Sequence, residues 1–324
     1  MSVDVAELRL PGPGARTVPV LTVNSGRPGP NAVVTANLHG DEATGVGAVH
    51  ALTRRLEGLL RRGRVTLYPS LNPAGLASGV RGLPGEELDP NRAFPGEPAG
   101  KPVIRHAYAI WTDLLSRRPD VLVDLHTDAG GAVPYALADR VIKGGANLED
   151  RCAQLAEASG LFALREYPVE EYLRYHLEQS LAGAMANHAG VPAVTLEVGP
   201  RRWIAQEAVA IATDAALGVL SAVGLTDTPA PVRPERRPGR WRRAAAPRPR
   251  GAGVLVPLVG PGDEVEAGEA LAEVRRLDGE LVERVLAAET CVVLALAERA
   301  WATPSLSFAT LAVRDGGAAS GAAS

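Results

Sequence analysis

Three apolar, β-branched stretches lie far apart in this chain, and each runs into a histidine or a glutamate. Residues 31–38 (NAVVTANL) lead to His39, 121–125 (VLVDL) to His126, and 192–196 (PAVTL) to Glu197. Runs of this length and composition are strands covered on both faces, as a mainly parallel sheet buries them under helices. Open α/β sheets gather their sites outside the carboxyl ends of the strands, so the fold must bring these ends together. Glu42 follows His39 closely, with Gly40 between them to let the backbone turn. An imidazole and a carboxylate so spaced can hold one divalent ion from one side. Taken alone, the pair is also what a loop histidine beside a helix-starting acid looks like. With His126 and Glu197 added, the pattern is three ligands and a spare carboxylate, the donor set of a catalytic zinc site with an open fourth position.

The rest of the chain supplies the sheet and its helices. Residues 6–10 and 17–23 read as short strands of an antiparallel sheet edge. Helices are expected over 41–62, where the acids Asp41 and Glu42 start and Arg61 and Arg62 finish in accord with the dipole, and over 101–118. Further helices are expected over 147–159 with Asn147 as cap, over 170–189 closed by Gly190, and over 204–223. Strands fall at 65–70, 135–141 and 161–165 between them. The alternation predicts an α/β fold: a mixed, mainly parallel central sheet flanked by helices. Residues 72–100 are a long Gly/Pro-rich loop carrying Arg81, Asp89, Asn91 and Arg92. A loop of that length in a compact domain is usually functional.

Past residue 226 the grammar changes. Residues 227–250 are rich in Pro and Arg and read as a linker together with the first strand of a second domain. Residues 251–315 alternate short strands and turns, a small all-β, barrel-like domain, and 316–324 (GGAASGAAS) are expected to be disordered. The catalytic domain is thus placed at 1–226. The turn from Gly262 to Gly268 resembles those of biotinyl and lipoyl carriers, but the module has no lysine to modify, which excludes a swinging arm. It is read instead as a shield over the site or a subunit contact, so a homo-oligomer is admitted.

Composition narrows the partners. A net charge of −3 gives no reason to expect nucleic acid, and the Arg run is read as a solvated linker. No apolar run is long enough for a membrane span and no signal peptide is visible, so the cytoplasm is the expected location. Cys152 and Cys291 read as ordinary thiols of a reducing compartment.

In order along the chain stand His39-Gly-Asp-Glu42, Asp89-Pro-Asn-Arg92-Ala-Phe94-Pro95-Gly96, Asp124-Leu-His126-Thr127 and Leu196-Glu197-Val-Gly199. Together they resemble the signature of the succinylglutamate desuccinylase/aspartoacylase family, a branch of the zinc carboxypeptidase superfold, over roughly residues 30–225. The resemblance implies that His39, Glu42 and His126 are the ligands of one Zn²⁺. It implies that Glu197 is the general base, that Asn91 and Arg92 hold a substrate carboxylate, and that Arg81 polarises the scissile carbonyl. It also implies the chemistry: zinc brings the pKa of a bound water to about 7, and zinc and a guanidinium share the charge that develops on the attacked amide. The substrate would be a small N-acyl amino acid, with no nucleic acid or membrane partner. One departure is visible, since Pro90 stands where the family usually has Leu.

Other residues are read more blandly. Asp41 is taken as a helix-start acid and Asp124 as a structural or ligand-orienting group. His50, His106, His176 and His188 are taken as ordinary surface or core residues, and Tyr135, Tyr172 and Tyr175 as packing residues within reach of the site. Arg201 and Arg202 either select an acidic substrate or only cap the surface. Two alternative functions remain open on the sequence. One is a metallocarboxypeptidase acting on a peptide or cell-wall fragment, for which a wide cleft would speak. The other is a catalytically inactive ligand-binding homologue, against which the complete set of His39, Glu42, His126 and Glu197 speaks.

Overall fold

The computed structural model describes residues 1–11, 17–143 and 145–316; apart from Gly316, the tail expected to be disordered lies outside them. The chain opens with β1 (Ser2–Arg9) and β2 (Thr17–Asn24), paired antiparallel. It continues through β3 (Asn31–Ala36), α1 (Thr44–Leu59), β4 (Arg64–Tyr68), α2 (Pro73–Ser78), α3 (Pro102–Ser116), β5 (Val121–His126) and β6 (Tyr135–Ala138). Then come α4 (Ala146–Ala158), β7 (Phe162–Arg165), α5 (Val169–Arg174), α6 (Leu181–Ala189), β8 (Ala193–Glu197) and α7 (Gln206–Ala222). The carboxyl-terminal part is all β: β9 (Trp241–Ala245), β10 (Gly253–Pro257), β11 (Glu264–Val265), β12 (Ala270–Arg275), β13 (Leu281–Leu286), β14 (Cys291–Leu296), β15 (Trp301–Ala302) and β16 (Ala309–Arg314).

The main sheet is 12-stranded, in the order β1-β2-β4-β3-β5-β8-β6-β7-β9-β16-β14-β11. Its centre, β4-β3-β5-β8, is parallel, while β6 runs antiparallel to β8. The sheet is therefore mixed, with the parallel block where the apolar runs predicted it. Period-2 alternation sends successive residues of one strand to opposite faces. On β3, Val34 belongs to the same buried cluster as Leu52 and Leu56 of α1 and Leu217 of α7, whereas Val33 belongs to the one that holds Ile110 of α3 and Leu181 and Met185 of α6. Both faces are dry, which is why β3, β5 and β8 carry near-continuous apolar sequence. Register completes the arrangement: Ala36 pairs with Leu125, and His126 with Glu197.

Several boundaries differ from expectation, for identifiable reasons. β3 stops at Ala36 because Asn37 takes a left-handed conformation (φ 55°). Helix α1 begins at Thr44 rather than at residue 41, with no acid in its first turn, and ends before Arg61 and Arg62. Asp41 and Glu42 instead form the preceding turn, and both are buried. The span 170–189 is two helices rather than one. His176 (φ 52°) breaks it, and Ser180 starts α6 by accepting the Gly183 N–H at 3.0 Å. Helix α4 starts after Gly145, and Asn147 lies inside it without capping. The loop 72–100 contains α2 and a 3₁₀ turn at Pro90–Arg92.

Beyond residue 226 the strands build a 4-stranded sheet, β13-β12-β10-β15, and also continue the main one. β9 lies between β7, parallel, and β16, antiparallel. The arginines around this crossing are spoken for. Arg233 bonds Asp214 at 3.1 Å, Arg236 pairs with Glu157, Arg237 bonds Glu264 at 2.9 Å, and Arg243 bonds Glu166 at 3.2 Å. They fasten the segment to the rest of the chain, which removes them from consideration as a polyanion surface. Both cysteines are buried and free. No helix among the described residues is long and apolar enough to cross a membrane.

Candidate metal centre

The site is assembled where β3, β5 and β8 end. After β3 the chain must turn sharply, and Asn37 organises that turn. Its amide donates to the carbonyls of His39 (3.0 Å), Gly40 (3.0 Å) and Glu42 (3.2 Å), and its side-chain oxygen accepts from Ser70 Oγ at 2.6 Å. Asn72, capping α2, reaches the Leu38 carbonyl at 3.3 Å from the other side. Gly40 is required by contact: a Cβ there would stand 2.2 Å from the Gly75 carbonyl carbon. Replacing Asn37 by Ala removes a fully buried amide that serves several carbonyls and keeps its left-handed backbone. We expect Asn37→Ala to cost about 3 kcal/mol, read as a lowered denaturant midpoint at unchanged slope. A loss under about 1 kcal/mol would remove Asn37 from this role.

The turn delivers His39 and Glu42 against His126. Nδ1 of His39 lies 2.8 Å from Glu42 Oε1, and Nδ1 of His126 lies 2.9 Å from Glu42 Oε2. One ligand atom from each residue falls within 4.8 Å of the other two, and all three side chains are buried. The opposite edge of each imidazole is also engaged. His39 Nε2 meets Asp89 Oδ1 at 2.9 Å, and His126 Nε2 meets Asp124 Oδ2 at 2.9 Å. Asp124 is held in turn by Thr35 Oγ1 at 2.7 Å. A carboxylate on Nε2 keeps the proton there and turns the Nδ1 lone pair to the ligand position, the usual outer partner of a metal-bound histidine.

Electrostatics agree with a cation between these groups. Burial raises the pKa of Glu42, but the two imidazoles outweigh it and hold the carboxyl well below the usual range. Burial opposes charge on His126, yet Asp124 and Glu42 drive its pKa well up. The surrounding carboxylates thus call for positive charge at Nδ1, which a divalent ion supplies with better geometry than a proton does. Glu197 comes from the end of β8, next to His126 in register. Among the described residues its Oε2 is buried without a hydrogen-bond partner. Burial pushes its pKa up to about 8; His126 opposes this, while the Asp128 and Glu42 carboxylates add to it.

Other residues singled out in the sequence fall around one cavity of about 80 Å³, lined by His39, Glu42, His126, Glu197, Arg81, Asn91 and Arg92 among others. Arg81 donates to Glu42 Oε1 at 3.0 Å and to Asp89 Oδ2 at 3.2 Å. Asp89 therefore serves His39 and Arg81 rather than Arg92. It also accepts the Asn91 N–H at 2.8 Å, starting the 3₁₀ turn in which Pro90 occupies the first position, where no donor is needed. Arg92 spends Nε on the Tyr175 carbonyl (2.8 Å) and Nη1 on its neighbour's carbonyl, and among the described residues it pairs with no carboxylate. Asn91 accepts the Leu181 N–H at 2.7 Å, so its side-chain oxygen is occupied in structure. Asp41 is not a helix-start acid; it stands apart from the ligand group, 3.9 Å from Arg201. Arg201 donates to the Thr127 carbonyl at 3.1 Å and also lines the cavity. Tyr135 and Tyr172 do more than pack, donating to Asp128 (2.7 Å) and Asp139 (2.9 Å).

Sequence reasoning passed over Asn37, Asp139, Glu166 and Arg243. A signal existed for Asn37, an asparagine closing an apolar strand, because Asn tolerates the left-handed region. None existed for Arg243, which reaches the same cavity from β9.

Known proteins resemble this chain in sequence and fold. The family model described as the succinylglutamate desuccinylase/aspartoacylase catalytic domain matches residues 28–223. An N-alpha-acetyl-L-2,4-diaminobutyric acid deacetylase of Halomonas elongata is 36% identical over 127 residues, 38% of this chain. That stretch spans only 36% of the relative's own length. A crystal structure of a succinylglutamate desuccinylase/aspartoacylase from Rhodobacter sphaeroides superposes with a TM-score of 0.78 at 24% identity, covering 96% of this chain and 95% of the other. A metallo-carboxypeptidase from Burkholderia cenocepacia shares the fold more distantly, with a TM-score of 0.55 at 17% identity over 68% of this chain and 64% of its own. With most of its α/β part matched by the family model, the chain belongs to the succinylglutamate desuccinylase/aspartoacylase family.

Proposed function

We propose that the protein is a zinc-dependent deacylase that hydrolyses the amide bond of a small N-acyl amino acid. The observation that carries this reading is the convergence of His39, Glu42 and His126 with Glu197 at one cavity. His39 and His126 through Nδ1, and Glu42 through its carboxylate, would hold the ion; two nitrogens and one oxygen suit zinc in a catalytic setting. When bound, zinc supplies Lewis acidity, lowering the pKa of water and polarising a carbonyl. Asp89 and Asp124 fix the tautomer and direction of the two imidazoles. Glu197, with an oxygen free of other partners, takes the proton from the attacking water and returns it to the departing amine nitrogen. Arg81 stands beside Glu42 with its guanidinium half-exposed, where it stabilises the charge that develops on the carbonyl oxygen. Arg92, without a carboxylate of its own, binds the carboxylate of the amino acid as a fork. The name of the Halomonas elongata relative points the same way.

Cavity size favours this reading over the peptidase alternative. A cavity of about 80 Å³, with Arg243 from the carboxyl-terminal strands among its lining residues, supports a small substrate over a peptide or cell-wall strand. The test is metal content followed by a substrate panel. We expect about one zinc per chain and release of free amine from N-acyl amino acids. Zinc without turnover anywhere on the panel would move the reading to the inactive binding protein, and cleavage of peptides alone would move it to the carboxypeptidase.

A further inference from the structure

A second cavity, of about 550 Å³, shares a wall with the catalytic one. Ala93, Phe94, Pro95 and Gly96 line it, and they follow directly on Asn91 and Arg92, which line the catalytic cavity. The facing 3₁₀ turn, Leu177–Gln179, is divided in the same way. Leu177 and Ser180 line the catalytic cavity, while Glu178 and Gln179 between them line the second one. Hydrogen bonds stitch the two segments together. The Phe94 N–H donates to the Gln179 carbonyl at 3.1 Å, the Leu181 N–H to Asn91 Oδ1 at 2.7 Å, and Arg92 Nε to the Tyr175 carbonyl at 2.8 Å. The two turns therefore form one partition with a cavity on each side, and Arg92 is mounted on it.

Phe94, Pro95, Ile104, Ile142 and Leu173 give the second cavity an apolar body, and its size is that of a small-molecule site. Ile142 and Leu173 are 37% and 39% exposed, so a ligand that covers them is favoured by the water it displaces. One polar group on the lining asks for a partner. Glu178 Oε2 is buried and has no hydrogen-bond partner among the described residues, while Oε1 accepts from Gln179 Nε2 at 3.2 Å. Within ion-pair distance among the described residues stands His176, mostly exposed, with Nδ1 3.9 Å from Oε1. Glu97, Lys143 and His188 also line the cavity, but they are exposed and screened by solvent. A carboxylate oxygen out of water without a donor is costly, and an N–H brought by a ligand would match it. We infer that this cavity is a second binding site, for a small amine with an apolar body, and that its occupant acts on Arg92 through the shared partition. The ammonium seats on Glu178 and the body against Phe94, Ile104 and Leu173. A ligand that favours one placement of the two turns shifts where the guanidinium stands on the other side. The site itself does not need turnover, whereas its effect on Arg92 is read through the deacylase reaction and rests on that reading.

The test is calorimetric binding to the zinc-loaded full chain, followed by steady-state hydrolysis. Isopentylamine, isopentanol and isocaproate share one branched body and carry an ammonium, a hydroxyl and a carboxylate. The wild type is expected to bind the amine about tenfold more tightly than the alcohol, the size of a charge-assisted hydrogen bond, and isocaproate no better than the alcohol. In Glu178→Gln, which keeps the size of the side chain, the ratio should fall to about twofold with the alcohol affinity unchanged. Leu173→Ala, on the exposed wall, should weaken amine and alcohol alike by about fivefold, and it decides if Glu178→Gln does not fold. An amine seated in the catalytic cavity would ignore both variants. Isopentylamine should also change KM by about threefold at unchanged kcat, and the change should level off as the site fills, which competition at the catalytic cavity would not do. An amine no tighter than the alcohol, tighter isocaproate, no binding of any probe, or a ratio that survives in Glu178→Gln would overturn the site. Binding with KM unmoved, or with KM rising without limit, would overturn the link to Arg92. Should no substrate turn over, the deacylase reading falls and the binding ratios alone decide this one.

Discussion

Glu197→Gln is expected to lower kcat by about 10³-fold while leaving zinc content and KM nearly unchanged. The substitution keeps the size of the side chain and removes its basicity. Glu197 sits at the end of β8 beside His126, and its Oε2 has no partner among the described residues, so no structural bond of that atom to them is lost. Burial holds the carboxyl up at about 8 when only side chains surround it, with the Asp128 and Glu42 carboxylates contributing and His126 opposing. A dication beside it favours the ionised form, the form that accepts a proton. The measurement is steady-state hydrolysis of the best substrate alongside metal analysis of the same preparation. Activity within about tenfold of wild type would assign the base to another group. Loss of zinc would mean that Glu197 supports the ion rather than the proton transfer.

His126→Ala carries the other large effect. Zinc should fall from about one per chain to under a tenth, and hydrolysis should disappear with it. More is removed than a ligand. Asp124, only 1% exposed, loses its partner at Nε2, and Glu42 loses one of the groups that hold it ionised. An orphaned buried carboxylate costs about 3–5 kcal/mol, so the melting temperature should drop as well. Zinc-stripped wild type separates the two contributions. Adding zinc back should raise its melting temperature by mass action, and should not move that of the variant. Should His126→Ala keep a full zinc complement, the proposed ligand set would be wrong.

Much of this was legible because local physics decided it. The apolar runs of β3, β5 and β8 read as strands buried on both faces, and ends of such strands gather at one edge of an open α/β sheet. Where expectation failed, a local signal was overruled by a distant partner. Asp41 and Glu42 look like the acids that open a helix. The chain uses Glu42 to face two imidazoles, one of them 84 residues away, and the helix starts at Thr44 instead. Residues 170–189 carry helical periodicity throughout, but the left-handed His176 and the Ser180 cap divide them, and the turn between them sits against the 3₁₀ turn that carries Arg92.

The sequence by itself determined the α/β class, the parallel centre of the sheet and the candidate group His39, Glu42 and His126 that the fold brings together. Each of these is written in short-range pattern: the alternation of burial along a strand, and the chemistry of the residue at its end. Only the tertiary structure decided which carboxylates serve the histidines, that Asp89 turns to His39 and Arg81 rather than to Arg92, and that Arg243 reaches the cavity from a strand outside the matched family domain. Those facts depend on strand register and on contacts between distant segments. A one-residue slip in register turns every side chain of a strand to the other face, and nothing in local composition forbids it; packing of the whole sheet does.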